Sequence, residues 1–159
     1  METIGRRFHP NLESIARCLT LLERKSLYCW LMPMANRKAG ITAAACVQAL
    51  AAFKPLSITF DNGQEFTQHS TIAAGTGADI YFADAYQSNQ RARNVINHGL
   101  VRQFLPSDMV LDQLDPIYVR RIERALNSSP RKYSRPRKSL GWKTPEQLLS
   151  EFNCVALQG

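Results

Sequence analysis

The chain predicts a mixed α/β fold, a β-sheet flanked by helices, on three observations. Two apolar runs, residues 16–23 and 27–34, meet at the polar turn Glu23-Arg24-Lys25-Ser26 and read as a hairpin. Short β-rich runs then alternate with helical segments from residue 41 onward, the pattern of strands packed under helices. One of those runs, Leu56-Ser57-Ile58-Thr59-Phe60, ends directly on Asp61-Asn62-Gly63, a carboxylate followed by a turn.

The elements follow in order. Residues 41–53 are Ala-rich, with only Thr42 and Gln48 polar, and predict a helix buried on more than one side, against the sheet and either another helix or a second subunit. Lys54-Pro55 stops it, because a residue before proline is pushed out of the helical region. After the strand at 56–60, residues 65–74 predict a helix and Asp79-Ile80-Tyr81-Phe82 a strand. Residues 93–104 predict a helix with Ile96, Leu100, Val101 and Phe104 towards the core. Residues 112–126 predict another, with Arg120, Arg121 and Arg124 on one face. Thr144-Pro145-Glu146-Gln147 is a helix start, with Thr as the cap, Pro in the first helical position and Gln in the third.

The chain has 159 residues, which suits one domain with a core of its own. No uncharged apolar run is long enough to span a bilayer, and the N-terminus has no signal-peptide core. Cys18, Cys29, Cys46 and Cys154 form no C-x-x-C pair and lie in apolar stretches, so buried free thiols in a reducing cytosol are expected. The net charge is +7, and it is unevenly placed. Residues 1–84 hold 8 Lys and Arg against 7 Asp and Glu, whereas residues 85–159 hold 12 against 6. A basic half points to a polyanionic partner.

The segment Ser57-Ile58-Thr59-Phe60-Asp61-Asn62-Gly63-Gln64-Glu65-Phe66 carries the chemistry. In open α/β sheets, ligands bind at the carboxyl ends of strands. A carboxylate fixed there holds a hard divalent cation through oxygen. Taken alone, Asn62-Gly63 equally fits a two-residue hairpin turn.

A resemblance extends along the chain. Leu22-Glu23-Arg24-Lys25-Ser26-Leu27-Tyr28 resembles a strand turn of bacterial insertion-sequence transposases of the IS-thirty family, and the stretch from Ile58 to Phe66 resembles that family's second-aspartate motif. Ile80-Tyr81-Phe82-Ala83-Asp84-Ala85-Tyr86 is similar to its next strand, with Ala85 where a Pro usually stands. Asn97-His98-Gly99-Leu100-Val101-Arg102-Gln103-Phe104-Leu105-Pro106 resembles its third-acid helix. Residues 127–145, with Arg135-Pro136-Arg137-Lys138-Ser139-Leu140-Gly141-Trp142-Lys143-Thr144-Pro145, resemble its C-terminal signature. The resemblance implies an RNase H-like catalytic core of the DDE transposase and retroviral-integrase kind. Such cores cut and join DNA with three carboxylates around two divalent ions, Mg²⁺ or Mn²⁺.

Against that pattern, the third acid is replaced by Val95, and no Asp or Glu stands between Asp84 and Asp108. His98, on the same predicted helix face, suits softer metals than Mg²⁺ and reads by default as a surface histidine. The first acid falls on Glu2, within Glu2-Thr3-Ile4-Gly5, so the first strand is expected to be cut short and to fray, with a loop over residues 6–15 and no preceding helix-turn-helix domain. The expected catalytic residues are thus Asp61 and Glu2, with Asp61 the metal ligand. The expected layout is a core over residues 1–127 and a basic loop with a C-terminal helix over 128–159, in one domain.

Between Ser128 and Lys143 stand Arg131, Lys132, Arg135, Arg137, Lys138 and Lys143 with no acid among them, and Tyr133 and Trp142 interleave. Phosphate contact by these six, with base stacking by the aromatics, is the expectation; a solvated loop is the plain alternative. The functional expectation is a DNA strand-cleavage and transfer core that is degenerate, weakly active or inactive. The alternative is a non-catalytic DNA-binding or transposase-interacting remnant of the same fold. DNA is the expected partner, with no membrane, a homodimer through the helix at 41–53, and a bacterial cytoplasmic, nucleoid-associated location.

Overall fold

A computed structural model describes residues 7–11, 18–34, 36–60, 62–83, 101, 104, 115–128 and 141–156. Five strands, β1 (Arg7–Asn11), β2 (Cys18–Glu23), β3 (Cys29–Pro33), β4 (Ser57–Phe60) and β5 (Asp79–Phe82), form one sheet in the order β3-β2-β1-β4-β5. β1 to β3 form an antiparallel meander, with Phe8 opposite Glu23 and Leu22 opposite Cys29. β4 and β5 add in parallel on the other side of β1, with Phe8 opposite Ile58 and Phe60 opposite Phe82. The mixed sheet predicted from the sequence is therefore present.

The predicted hairpin forms because its turn satisfies itself. The Glu23 side chain is buried in the turn, where its carboxylate accepts the Lys25 N–H at 3.0 Å, the Ser26 N–H and the Ser26 hydroxyl at 2.6 Å. Leu27 takes the left-handed backbone conformation (φ 58°) that closes the turn. This explains the Glu-Arg-Lys-Ser motif as local structure.

One expectation changes. Residues 6–15 read as a loop, yet Arg7–Asn11 is the central strand of the sheet. The run Arg-Phe-His-Pro-Asn has no apolar alternation, and proline is rare in central strands because it has no N–H for the ladder. Here the parallel ladder with β4 runs over Arg7 and Phe8 and stops before Pro10.

Helices cover both faces. Leu19 and Leu21 of β2, Trp30 of β3, and Ile58 and Phe60 of β4 pack on one face with Ala43, Cys46 and Leu50 of α1 (Ala39–Leu50), Ile72 of α2 (His69–Thr76) and Leu149 of α4 (Pro145–Ala156). Cys18, Leu22, Cys29 and Leu31 pack on the other with Val101 and with Val119 and Ile122 of α3 (Pro116–Ser128). This alternation of neighbouring strand residues between two cores holds the register, since a one-residue slip would exchange the faces.

The helix predicted over 41–53 starts at Ala39 and ends at Leu50, where the chain tightens through the Ala51 N–H to Gln48 and Phe53 N–H to Leu50 bonds before Pro55. It is buried on more than one side, as expected: Thr42, Ala43, Ala45, Cys46 and Leu50 are buried, and it packs on the sheet and on α2. The predicted helix at 65–74 divides into a 3₁₀ turn, Gln64–Phe66, and α2, which ends on Gly77 in the left-handed conformation. Of residues 93–104, Val101 and Phe104 are described, and both are helical. α3 begins at Pro116, later than predicted, because the Asp115 carboxylate accepts the Ile117 N–H at 2.9 Å and caps it there. The Thr144 start forms as predicted. The Thr144 hydroxyl accepts the Gln147 N–H at 3.2 Å, and the Gln147 side chain accepts the Thr144 N–H at 2.9 Å.

Candidate active site at the carboxyl edge of the parallel strands

β1, β4 and β5 run the same way, so their carboxyl ends share one edge of the sheet. From β1 the chain turns to β2 on one side; from β4 it passes through α2 to β5 on the other. The connections part between β1 and β4, and such a switch point leaves a crevice where ligands bind. Asp61 is the residue bonded to the end of β4.

The residues around that position are held firmly. Phe60 is fully buried and stacks on Phe66, with ring centroids 4.4 Å apart. The Ala83 N–H donates to the Phe60 carbonyl at 2.8 Å, and the Asn62 side-chain amide donates to the Ala83 carbonyl at 3.3 Å. The segments leaving β4 and β5 are thereby tied together. The Glu65 carboxyl group sits close over Gly63: a Cβ there would stand 2.6 Å from its carboxyl carbon and would displace it. The Glu65 carboxylate lies over the backbone two residues beyond Asp61. Phe82, partly exposed, meets the exposed His69 edge-on, with centroids 5.2 Å apart. Because β4 pairs in parallel with both neighbours, Asn62-Gly63 leads into a helix, and the hairpin alternative is excluded.

Of the residues singled out in the sequence, Asp61, Glu2, Val95, His98, Arg131, Lys132, Tyr133, Arg135, Arg137 and Lys138 lie outside the described residues. Lys143 is described: it is exposed, and its ammonium bonds both Glu151 oxygens, at 2.7 and 2.8 Å. An exposed pair of this kind is worth about 0–1 kcal/mol, so it leaves Lys143 available to a stronger anion. Trp142 beside it is exposed, with a left-handed backbone (φ 69°). Cys18, Cys29 and Cys46 are buried free thiols, as expected, and burial pushes Cys18 and Cys46 up to about 12. Among the described residues, no three His, Cys, Asp or Glu side chains gather as a metal site, and no helix is long and apolar enough to cross a membrane.

Sequence reasoning missed Glu65, although it stood in the quoted motif, because nothing in the spacing shows a carboxylate folding back over Gly63. It also missed a latch at the far side of the sheet. The buried Asn127 of α3 accepts the Cys29 N–H at 2.9 Å and donates to the Cys29 carbonyl at 2.8 Å. Glu123, one turn earlier, accepts the Leu31 N–H at 2.8 Å. Together they satisfy the outer edge of β3. Burial raises the Glu123 pKa, against the lowering effects of the Leu31 N–H, Arg120 and Tyr28. Burial and then the Glu123 and Glu146 carboxylates push Tyr28 up to about 12. A groove of about 610 Å³ opens here, with Tyr28, Trp30, Gln48, Arg120, Glu123 and Glu146 in its wall. No residue of β4 or of 62–66 lines it, so it is separate from the carboxyl edge.

A transposase for insertion sequence element IS4351 of Bacteroides fragilis is 34% identical to the chain over 136 residues, 84% of this chain and 40% of that protein. A probable transposase for the insertion-like element IS1161 of Streptococcus salivarius is 35% identical over 114 residues, 72% of this chain and 32% of that one. The chain is related to insertion-sequence transposases. The relation includes transposase InsI for element IS30D of Escherichia coli, 30% identical over 133 residues, 82% of this chain and 33% of that protein. This transposase-related chain spans 32–40% of the length of these relatives. No protein-family model matches it. Its fold is that of an integrase catalytic core: the catalytic core domain of BIV integrase superposes with a TM-score of 0.67 at 15% identity, covering 96% of this chain and 99% of that one.

Proposed function

We propose that this chain is a DNA strand-cleavage and transfer core, weakened by the absence of its third acid. The observation that carries the reading is the carboxyl edge shared by β1, β4 and β5. Asp61 is next in sequence after Phe60 of β4, and the fold that carries this sheet superposes on an integrase catalytic core. Relatedness to several transposases supports the same reading.

The donor set fits a hard divalent cation in kind but not in number. Asp61 and Glu2 offer carboxylate oxygens, the ligands that Mg²⁺ or Mn²⁺ takes. Val95 offers none. A bound ion would supply charge stabilisation to the phosphoryl oxygens during in-line displacement. The chain's own contribution is to fix the residues on either side of Asp61 in sequence: Phe60 is locked in the core, and Asn62 is tied to the segment after β5. In this proposal Arg131, Lys132, Arg135, Arg137, Lys138 and Lys143 grip the DNA backbone, and Trp142 stacks beside them. Six phosphate contacts give a log–log salt slope of about −5. A homodimer through residues 41–53 would use their exposed positions, Ala44, Gln48, Ala51 and Ala52. The setting is the bacterial cytoplasm, at the nucleoid.

Val95 favours a second reading, in which the same fold binds DNA without cutting it. A plasmid-nicking assay in Mn²⁺ separates the two. Slow nicking that disappears in Asp61→Ala supports the catalytic reading. No nicking by the wild type, together with retained DNA binding, supports the second.

A further inference from the structure

We propose that the arginine face of α3, formed by Arg120, Arg121 and Arg124, is a second DNA-backbone contact surface; the inference rests on the reading of the chain as a DNA-binding core. Three observations carry it. First, the helix turns its arginines outward, beside the exposed Ile117 and Tyr118. Val119, Ile122 and Asn127 are buried, whereas Arg120, Arg121 and Arg124 are all exposed, and Arg121 and Arg124 have no ion-pair partner among the described residues. Second, the face is fixed in place. Asn127 and Glu123 make three hydrogen bonds to the β3 backbone, the Tyr118 hydroxyl donates to the Phe104 carbonyl at 3.2 Å, and Asp115 caps the first turn. A helix tethered along its length cannot roll, so its guanidinium groups lose little further backbone freedom on binding. Third, the helix itself carries one acid, Glu123, whose carboxylate is turned inward to the Leu31 N–H; Glu146 of α4 shares a groove with Arg120 and Arg124, and Arg121 lies outside it.

The chemistry favours a phosphodiester backbone over other anions. Arg121 and Arg124 stand three residues apart on one face, about 4.5 Å along the axis, so two bidentate forks can take neighbouring phosphates of one strand. The helix also runs directly into the segment that holds Arg131 to Lys143, so the two basic stretches are continuous in sequence. Such a surface would position duplex DNA without reading its sequence.

The test is fluorescence anisotropy of a labelled duplex with the whole chain, titrated over a range of salt concentrations. Wild type is compared with Arg121→Ala/Arg124→Ala and Arg121→Lys/Arg124→Lys, and urea unfolding confirms that each variant keeps its fold. The double alanine variant should lower the magnitude of the log–log salt slope by about 2, while the double lysine variant keeps it. An unchanged slope and affinity in the alanine variant, with the wild type still binding, overturns the α3 surface and leaves the DNA reading intact. Failure of the wild type to bind overturns both. Competition by poly-glutamate as effective as that by unlabelled duplex would assign the face to an acidic peptide and overturn the proposal.

Discussion

Glu23 and Glu123 are both acids drawn inward to serve backbone N–H groups, and they differ in how much of this the sequence reveals. Glu23 lies in the turn it closes, so its role follows from local spacing. Glu123 serves Leu31 across 92 positions, and Asn127 serves Cys29 across 98, distances over which no sequence pattern speaks. Burial raises Glu123 above its unfolded pKa, so the folded chain holds that proton more tightly than the unfolded chain does. Its contribution to stability is present below the unfolded pKa and is lost as pH rises through the folded one. Glu123→Gln keeps an acceptor for the Leu31 N–H without the buried charge. In urea denaturation it should match wild type in acid and exceed it at neutral pH. Glu123→Ala orphans the N–H and should cost about 1–3 kcal/mol in acid and less at neutral pH, where it also removes the buried charge. A Gln variant less stable than wild type at neutral pH would show that the charge itself holds the latch.

At the scale of elements, the signals that were read correctly are the local ones. Thr144 and Gln147 make their reciprocal bonds, the β4 run forms a strand, and the α1 composition gives a helix packed on two sides. Where elements were misjudged, a tertiary partner decided the outcome. Arg7–Asn11 becomes a strand because it lies between β2 and β4, against the preference of Pro10. The α1–α2 contact was expected, but how close it is depends on residues far apart in sequence. A Cβ on Gly75 would stand 2.7 Å from a Val47 methyl, so the glycine sets how closely the two helices approach. Gly75→Ala should therefore destabilise by about 1 kcal/mol or more. In a Val47→Ala background the same change should stabilise relative to that background, because alanine is the better helix former by about 1 kcal/mol. A double-mutant cycle with no coupling would refute the close approach.

For the whole molecule, the order β3-β2-β1-β4-β5 follows from two facts, of which one was visible in the sequence. The hairpin and the alternating strands and helices could be read, whereas the insertion of β1 between antiparallel and parallel halves could not. That insertion makes the switch point at the carboxyl edge of β1, β4 and β5. The proposed weakness is equally concrete. Val95→Glu should restore the missing carboxylate and raise Mn²⁺-dependent plasmid nicking at least about tenfold, the scale expected for an interaction made in the transition state; no gain would place the defect elsewhere. The central claim is that Asp61 anchors a divalent-metal site, and calorimetric titration of the whole chain with Mn²⁺ tests it most directly. The account predicts saturable binding heat in the wild type that is lost in Asp61→Ala, with the fold unchanged by circular dichroism. Equal heats in the two proteins, or none in the wild type, would contradict it.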